Sequence, residues 1–493
     1  MEITITRKEI PIWVPEDSGV KKTTFAAEAV VPDTIDDVKN IVFCRAWLLL
    51  KGKEPGKHGT KAEGEACAAL LLLTETGKLE TFRLSKPFDL DFEAPNPDAD
   101  AIPRIVWSLV GAEARLLNPR KIGLSFEVSA ELRSFRRGSV PTSVCLEGAE
   151  ACGLHLLREE REALVMTAAG EKPFTLRQQF DLDGSEPAPA AITGEEQRFR
   201  ILGIEQVGSR CIVKGELLLR IFGLDARGMP AESSFRLPFS QLIDADDRPM
   251  EASDLSVLPS SVYLDLSEGP EGGRSLDAEV HAVLQYSLYT RCRLTAAADA
   301  YSTRMPVTLS TTALPFLSAL ERGSGVLRAE ERLPMSNDVA EILASQAVLG
   351  PLETNRERSA VPVNLELLVR SRSGELSALR RSFRLCGDSL PEPARAWEPR
   401  LNKLTLTLQD AALDCSCEAA VDWELRREDS LRQVLSLTTD EENAWDPGLI
   451  PTLTLVRRGG ESLWELAKSH HSSVELISGC NEAEAEFLLI PAE

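Results

Sequence analysis

The sequence predicts a mainly β protein: three diverged antiparallel β-rich repeats, each a sandwich or open barrel, followed by a small β-α-α-β module. Three observations carry this expectation. An apolar run, a glycine-containing turn and a second apolar run return three times along the chain. A stretch of alternating apolar and polar residues follows each return, which is the period of a half-buried strand. Residues 452–493 then switch to short helical spacing. At 493 residues and 43% hydrophobic, the chain is too long for one ordinary core and apolar enough for several.

The recurring hairpins span Gly64 to Leu90, Lys214 to Leu242 and Val363 to Leu390. Their turns hold Gly77, Gly228 and Gly374, and glycine accepts the positive φ that such turns need. Each second run holds a Phe-Arg-Leu triplet, starting at Phe82, Phe235 and Phe383 and so spaced by 153 and 148 residues. On a strand the Phe and Leu of each triplet face the core together and the Arg faces solvent, so the three phenylalanines are expected to be equivalent and buried.

Upstream, Phe25 to Val42 and Leu327 to Leu343 both carry Ala-Glu, a proline seven residues after the leading apolar residue, and Asp-Val-x-x-Ile. Glu171 to Leu182 is a looser counterpart. At most a short helix is expected near Asp-Val-x-x-Ile. Downstream, Arg120 to Arg133, Leu276 to Arg291 and Leu413 to Arg426 alternate. Leu124, Phe126, Val128 and Ala130 point one way, with Ser125, Glu127, Ser129 and Glu131 the other. The repeats are placed at 1–137, 138–303 and 304–440, with a loop at 185–191. An acidic linker follows at 441–451.

The net charge of −22 repels nucleic acid and anionic lipid, so neither is an expected partner. The N-terminal residues lack the apolar core of a signal peptide, and runs such as Cys67 to Leu73 are too short to span a bilayer. A cytoplasmic protein, not integral to the membrane, is expected. The ten cysteines form no C-x-x-C pair. Cys415 and Cys417 share a strand face without His or Cys partners, which fits reduced thiols better than a metal site. No phosphate-binding glycine loop, G-x-S-x-G or H-E-x-x-H motif occurs. The five histidines are scattered, and His470-His471 closes a helix. No catalytic residue, metal site or cofactor is assigned, and an enzyme is not expected.

In the last segment, Leu453 to Arg457 reads as a strand and Gly459-Gly460 as a turn. Ser462 and Glu465 form a capping box ahead of a short helix through Leu463, Trp464, Leu466 and Ala467. Ser473 caps a second helix, and Phe487 to Pro491 returns as a strand. Gly460-Glu461-Ser462-Leu463-Trp464 with the following Leu-Ala-Lys, then Ser473-Val474-Glu475, Asn481 and Leu488-Leu489-Ile490-Pro491, resembles the LysM domain signature. The resemblance implies a groove for a ligand or partner at Gly459, Gly460, Glu461, Ser462, Ile477, Cys480 and Asn481, over a core of Leu463, Trp464 and Leu466. The family's Asp is Glu461 here, and the stretch after Asn481 is shortened.

The run Lys214 to Gly223, with Pro238-Phe239-Ser240-Gln241 and Asp299-Ala300-Tyr301-Ser302, resembles the SPOCS domain of spore-forming Firmicutes. SPOCS repeats ahead of a C-terminal LysM are similar to the layout of clostridial coat-morphogenesis proteins. That resemblance implies a non-enzymatic scaffold or adaptor in spore coat or envelope assembly, located in the mother cell at the forespore surface. Its partners would be proteins, among them a coat ATPase resembling stage IV sporulation protein A. The alternative is a protein that binds peptidoglycan or other N-acetylglucosamine-containing glycan through the LysM-like module.

Overall fold

The computed structural model describes residues 2–493 except 57–58, 94–99, 147–151, 183–187, 269–273, 398, 410, 447 and 483–484. Part of the expected 185–191 loop therefore lies outside the described residues. The chain is mainly β, with antiparallel pairing throughout.

Among the described residues, the eighteen strands of 10 residues or more fall into three sets of six. The first is β1 (Ile5–Val30), β2 (Val38–Gly56), β3 (Gly59–Thr74), β4 (Leu79–Glu93), β5 (Ile102–Asn118) and β6 (Lys121–Leu146). The second is β7 (Leu154–Asp181), β8 (Ala191–Val207), β9 (Arg210–Leu224), β10 (Pro230–Asp244), β11 (Met250–Glu268) and β12 (Arg274–Ser302). The third is β13 (Val307–Pro334), β14 (Val339–Leu349), β15 (Arg358–Ser371), β16 (Leu376–Asp388), β17 (Arg400–Gln409) and β18 (Ala412–Thr439). In every set the last strand pairs with both the first and the fifth, and the middle three pair with one another. The first long pair runs from Val30–Lys121 to Ile5–Leu146 and so passes through residue 137.

Alternation makes these strands two-faced, and the apolar faces close on each other as sandwiches. Leu70 and Leu72 of β3 share a buried cluster with Phe126 and Val128 of β6. Leu217, Leu219 and Ile221 do the same with Leu276, Ala278 and Val280, as do Val363 and Leu365 with Leu413 and Cys415. Cys415 and Cys417 indeed share one buried face.

The three hairpin turns are superimposable in their bonding. Gly77, Gly228 and Gly374 have φ of 78°, 75° and 89°. Their N–H groups donate to Thr74, Asp225 and Ser371, each at 3.0 Å. Measured from these glycines, the Phe-Arg-Leu triplets are not equivalent. Phe82 lies five residues beyond Gly77, Phe235 seven beyond Gly228 and Phe383 nine beyond Gly374. Steps of two keep the same face, so all three rings turn inward, but Phe82 and Phe235 are only half-buried. The positions that match are Phe88, Phe239 and Leu385, eleven beyond each glycine and all buried. Gly64 lies opposite Phe88, Gly215 opposite Phe239 and Val361 opposite Leu385. The large ring thus goes with the missing side chain, and the smaller Leu with Val.

No helix forms at Asp-Val-x-x-Ile. Asp37-Val38 and Asp338-Val339 lead straight into β2 and β14, and their carbonyls take a hydrogen bond from the hairpin turn: Glu75 N–H to Asp37 O and Arg372 N–H to Asp338 O, both 2.8 Å. Tertiary bonding of the aspartate carbonyls there replaces the intrahelical bonds that a helix would make.

The six long strands reach past their sandwiches and meet. Ile12, Val140, Val165, Leu294, Phe316 and Leu431, one from each of β1, β6, β7, β12, β13 and β18, form a single buried cluster. Beside it the junction is held by charge. Asp254 of β11 takes hydrogen bonds or ion pairs from Arg104 of β5 at 2.7 Å and Arg322 of β13 at 3.0 Å. Arg322 also donates to the buried Glu424 of β18 at 2.6 Å, which accepts from Arg426 at 2.6 Å. Burial would raise the Asp254 carboxyl, but Arg104, then Arg322 and Arg426, hold it far below the usual range. One carboxylate therefore ties all three sets together. No described helix is long and apolar enough to cross a membrane.

Candidate functional site

The C-terminal residues fold as β19 (Leu453–Arg457), α1 (Leu463–Ser469), α2 (Val474–Cys480) and β20 (Phe487–Pro491). Both capping signals operate. The Ser462 hydroxyl accepts from Glu465 N–H at 3.2 Å while the Glu465 carboxylate accepts from Ser462 N–H at 2.7 Å. Ser473 accepts from Leu476 N–H at 3.2 Å. Two seven-residue helices are too short to persist alone, so packing must hold them.

That packing comes partly from β12. Tyr301 belongs to the same buried cluster as Leu466, Ala467, Ile477, Leu488 and Ile490. Its hydroxyl donates to Ser472 O at 2.7 Å, and its ring meets the Trp464 ring edge-on at 4.8 Å. The His155 ring stacks on the Tyr301 ring at 5.0 Å, with His155 Nε2 2.7 Å from a Glu493 carboxylate oxygen. Asp299 accepts from Trp464 Nε1–H at 2.9 Å and from Lys468 Nζ at 2.8 Å. Burial would raise the Asp299 carboxyl, yet the bonds from Lys468 and Trp464 outweigh it and hold it below its ordinary value. In the linker, Trp445 N–H donates to Arg304 O at 2.8 Å, and the Trp445 ring lies 5.0 Å from that of His471. The module is therefore seated on the second set of strands.

Of the expected groove residues, one is not at the surface and one is spent on the fold. Gly459, Gly460, Glu461 and Cys480 are exposed, and Ser462 is the helix cap. Ile477 is fully buried in the module core, because α2 turns its apolar face onto β20. Asn481 spends its amide on the fold: Nδ2 donates to Ile477 O and Leu489 O, and Oδ1 accepts from Leu489 N–H, each at 2.7 Å. Of the expected core, Leu466 is buried, and Leu463 and Trp464 are half-buried. Trp464 bridges to β12 besides packing within the module.

One face of the module is apolar and uncovered. Strand alternation sends Val456, Leu488 and Ile490 inward and Leu453, Leu455, Phe487 and Leu489 outward. Leu455 lies directly opposite Leu489, and Phe487 opposite Arg457. Leu455 is 63% exposed and Phe487 50%. Exposed apolar side chains grouped on one face mark a contact surface more often than scattered ones do.

Asp299 and Tyr301 were visible in the sequence only within the Asp299-Ala300-Tyr301-Ser302 run. A carboxylate and a phenol set into an alanine-rich strand end, Ala296 to Ala300, were the available signal. No family model, curated protein or solved structure matches the chain.

Proposed function

We propose that the chain is a non-enzymatic adaptor that binds partner proteins through its C-terminal module and its β-rich units, with a place in spore coat or envelope assembly. The observation that carries the adaptor reading is the outward face of β19 and β20, where Leu453, Leu455, Phe487 and Leu489 stand exposed on a module seated on a large β framework. A β surface presenting paired apolar side chains suits contact with another protein. The three six-strand sets are read as diverged repeats and the module as LysM-like. The sporulation setting, the mother-cell location and a coat ATPase partner rest on the resemblance of those segments alone. The raised thiols of the half-buried Cys44 and the buried Cys67 support a structural role for these two cysteines. Burial, then Glu366, pushes the Cys44 thiol up to about 12, and burial, then Glu65, does the same to Cys67. Neither is a ready nucleophile at neutral pH.

The test is co-purification from sporulating cells with the wild type and with Leu455→Glu/Leu489→Glu, whose side chains are exposed so that the fold should persist. The adaptor reading expects a defined partner retained by the wild type and reduced about tenfold or more by the variant. Equal recovery by both would remove this face from the function. Micromolar binding of chitopentaose by the full-length chain would favour the glycan reading instead.

A further inference from the structure

A cleft of about 1160 Å³ opens where the three sets of strands meet. Its wall runs against the composition of the protein. The chain carries a net charge of −22, yet eight arginines line the cleft against four carboxylates, Glu131, Glu216, Asp254 and Asp422. Glu424, just behind the wall, is shared between Arg322 and Arg426, and Glu196 pairs with Arg198, so part of that excess is met from outside the lining.

Six of the eight arginines are held in ion pairs, and what the fold leaves uncommitted is at the rim and at one buried guanidinium nitrogen. At the rim, Arg200 and Arg236 share the single carboxylate of Glu216, at 3.8 and 3.9 Å, beyond hydrogen-bonding distance. Their side chains are 69% and 76% exposed. Deeper in, Arg104 is buried, and its Nε has no hydrogen-bond partner among the described residues. Arginines from all three sets converge on one space, which raises the local cation density beyond what any one of them would supply.

Between the cations the wall is apolar, with Phe199, Leu218, Leu258, Trp397 and Trp423. This mixture decides the class of ligand. A nucleic acid strand would meet interleaved carboxylates and the strongly negative remainder of the surface. A lone small anion would leave most of the volume and all of the apolar wall unused. A peptide alternating carboxylates with apolar side chains uses both, because guanidinium forks take carboxylates in bidentate fashion and the tryptophans take the apolar residues.

We propose that this cleft is a docking site for an acidic, partly apolar segment of a partner protein, with Arg200 and Arg236 as the outer contacts. The proposal deepens the adaptor reading and rests on it. It stands on a different surface from the module's apolar face, so the two can fail separately.

The experiment is fluorescence anisotropy of the full-length protein with a fluorescein-labelled peptide alternating Glu with Leu and Phe. A counterpart with Gln in place of every Glu is the control, and inorganic tripolyphosphate is the competitor. The expected result is binding of the Glu peptide that weakens with added salt, and at least about tenfold weaker binding of the Gln peptide. Arg200→Gln/Arg236→Gln should lose about tenfold, while Leu455→Glu/Leu489→Glu should bind like the wild type. Absence of binding, equal affinity for both peptides, or indifference to Arg200→Gln/Arg236→Gln would overturn the proposal. Displacement by tripolyphosphate as effective as by unlabelled peptide would make the cleft a general anion site and overturn it as a segment-docking site. Loss of peptide binding in Leu455→Glu/Leu489→Glu would overturn the assignment to the cleft. None of these outcomes bears on the co-purification result at the module.

Discussion

The indole N–H of Trp464 donates to the Asp299 carboxylate at 2.9 Å, across 165 residues of chain. The same carboxylate takes Lys468, one helical turn further along α1. Two donors at i and i+4 on one helix face thus converge on one acceptor in β12, which fixes both the position and the rotation of α1. A helix of seven residues gains its order from this contact more than from its own hydrogen bonds.

Asp299→Ala should therefore loosen the module without unfolding the framework. The cost is about 1–2 kcal/mol, since Lys468 is partly exposed and its ion pair is weakened by solvent. Faster hydrogen exchange in residues 463–480, with unchanged exchange in β12, is the expected readout. Exchange in α1 and α2 identical to wild type would show that the other contacts, Tyr301, His155 with Glu493 and Trp445 with Arg304, hold the seat without Asp299.

The pH dependence of docking follows from the same carboxylate. Its value in the folded chain lies below the ordinary 3.8, so folding and docking favour the ionised form. This contribution is complete above 3.8 and is lost as pH falls through the lower folded value. Module docking, followed by Trp464 fluorescence, should hold through neutral pH and fail on the acid side of 3.8 in the wild type. Asp299→Asn should flatten that acid limb. An acid transition unchanged by Asp299→Asn would assign it to other carboxylates.

Much of this architecture was legible because its signals are local. The alternation of Leu124, Phe126, Val128 and Ala130 marked the buried face of β6, and Ser462 with Glu465 marked the start of α1. The Phe-Arg-Leu register was not legible. A slip of two residues keeps every side chain on its face, so the pattern looks the same when the triplets sit five, seven or nine residues past the turn. The seat on Asp299 and the junction at Asp254 join distant segments, and nothing near either residue in the chain announces its partners. Ile477 was placed at a groove by the LysM resemblance, whereas its burial is decided by the contact of α2 with β20.

At the junction, Asp254→Ala should be among the most damaging single substitutions outside the apolar cores. It would leave Arg104 and Arg322 facing each other with one counter-charge fewer, in a site where Arg104 and Asp254 are both buried. Removing one partner of a buried pair costs about 3–5 kcal/mol. Because the Asp254 carboxyl is held far below the usual range, its contribution is present above the ordinary 3.8 and fades only in strong acid. Thermal unfolding should therefore show the wild-type advantage over Asp254→Ala at neutral pH and its narrowing as the pH is lowered well below 3.8. A melting temperature within experimental error of wild type at neutral pH would mean that the other contacts between the sets, such as Arg83 with Glu195 and the apolar cluster, hold them without Asp254.

The pairing of Gly64 with Phe88 offers a sharper test, because the third set shows its alternative. A Cβ on Gly64 would stand 2.4 Å from the Phe88 ring, and the same distance separates a Cβ on Gly215 from the Phe239 ring. In the third set the opposed residues are Val361 and Leu385. Gly64→Val should thus overpack the first core by about 1–3 kcal/mol. Phe88→Leu alone should also destabilise, because Phe88 packs against Phe25 and Trp107 at ring distances of 4.8 and 5.6 Å. Combined in one chain, the two changes recreate the Val–Leu pair, and each relieves the fault made by the other. The double variant should be more stable than the sum of the single effects by about 1 kcal/mol or more, measured as a double-mutant cycle in denaturant. Strict additivity would show that the ring and the missing side chain are not coupled, and that the match between the three turns does not extend to the cores beneath them.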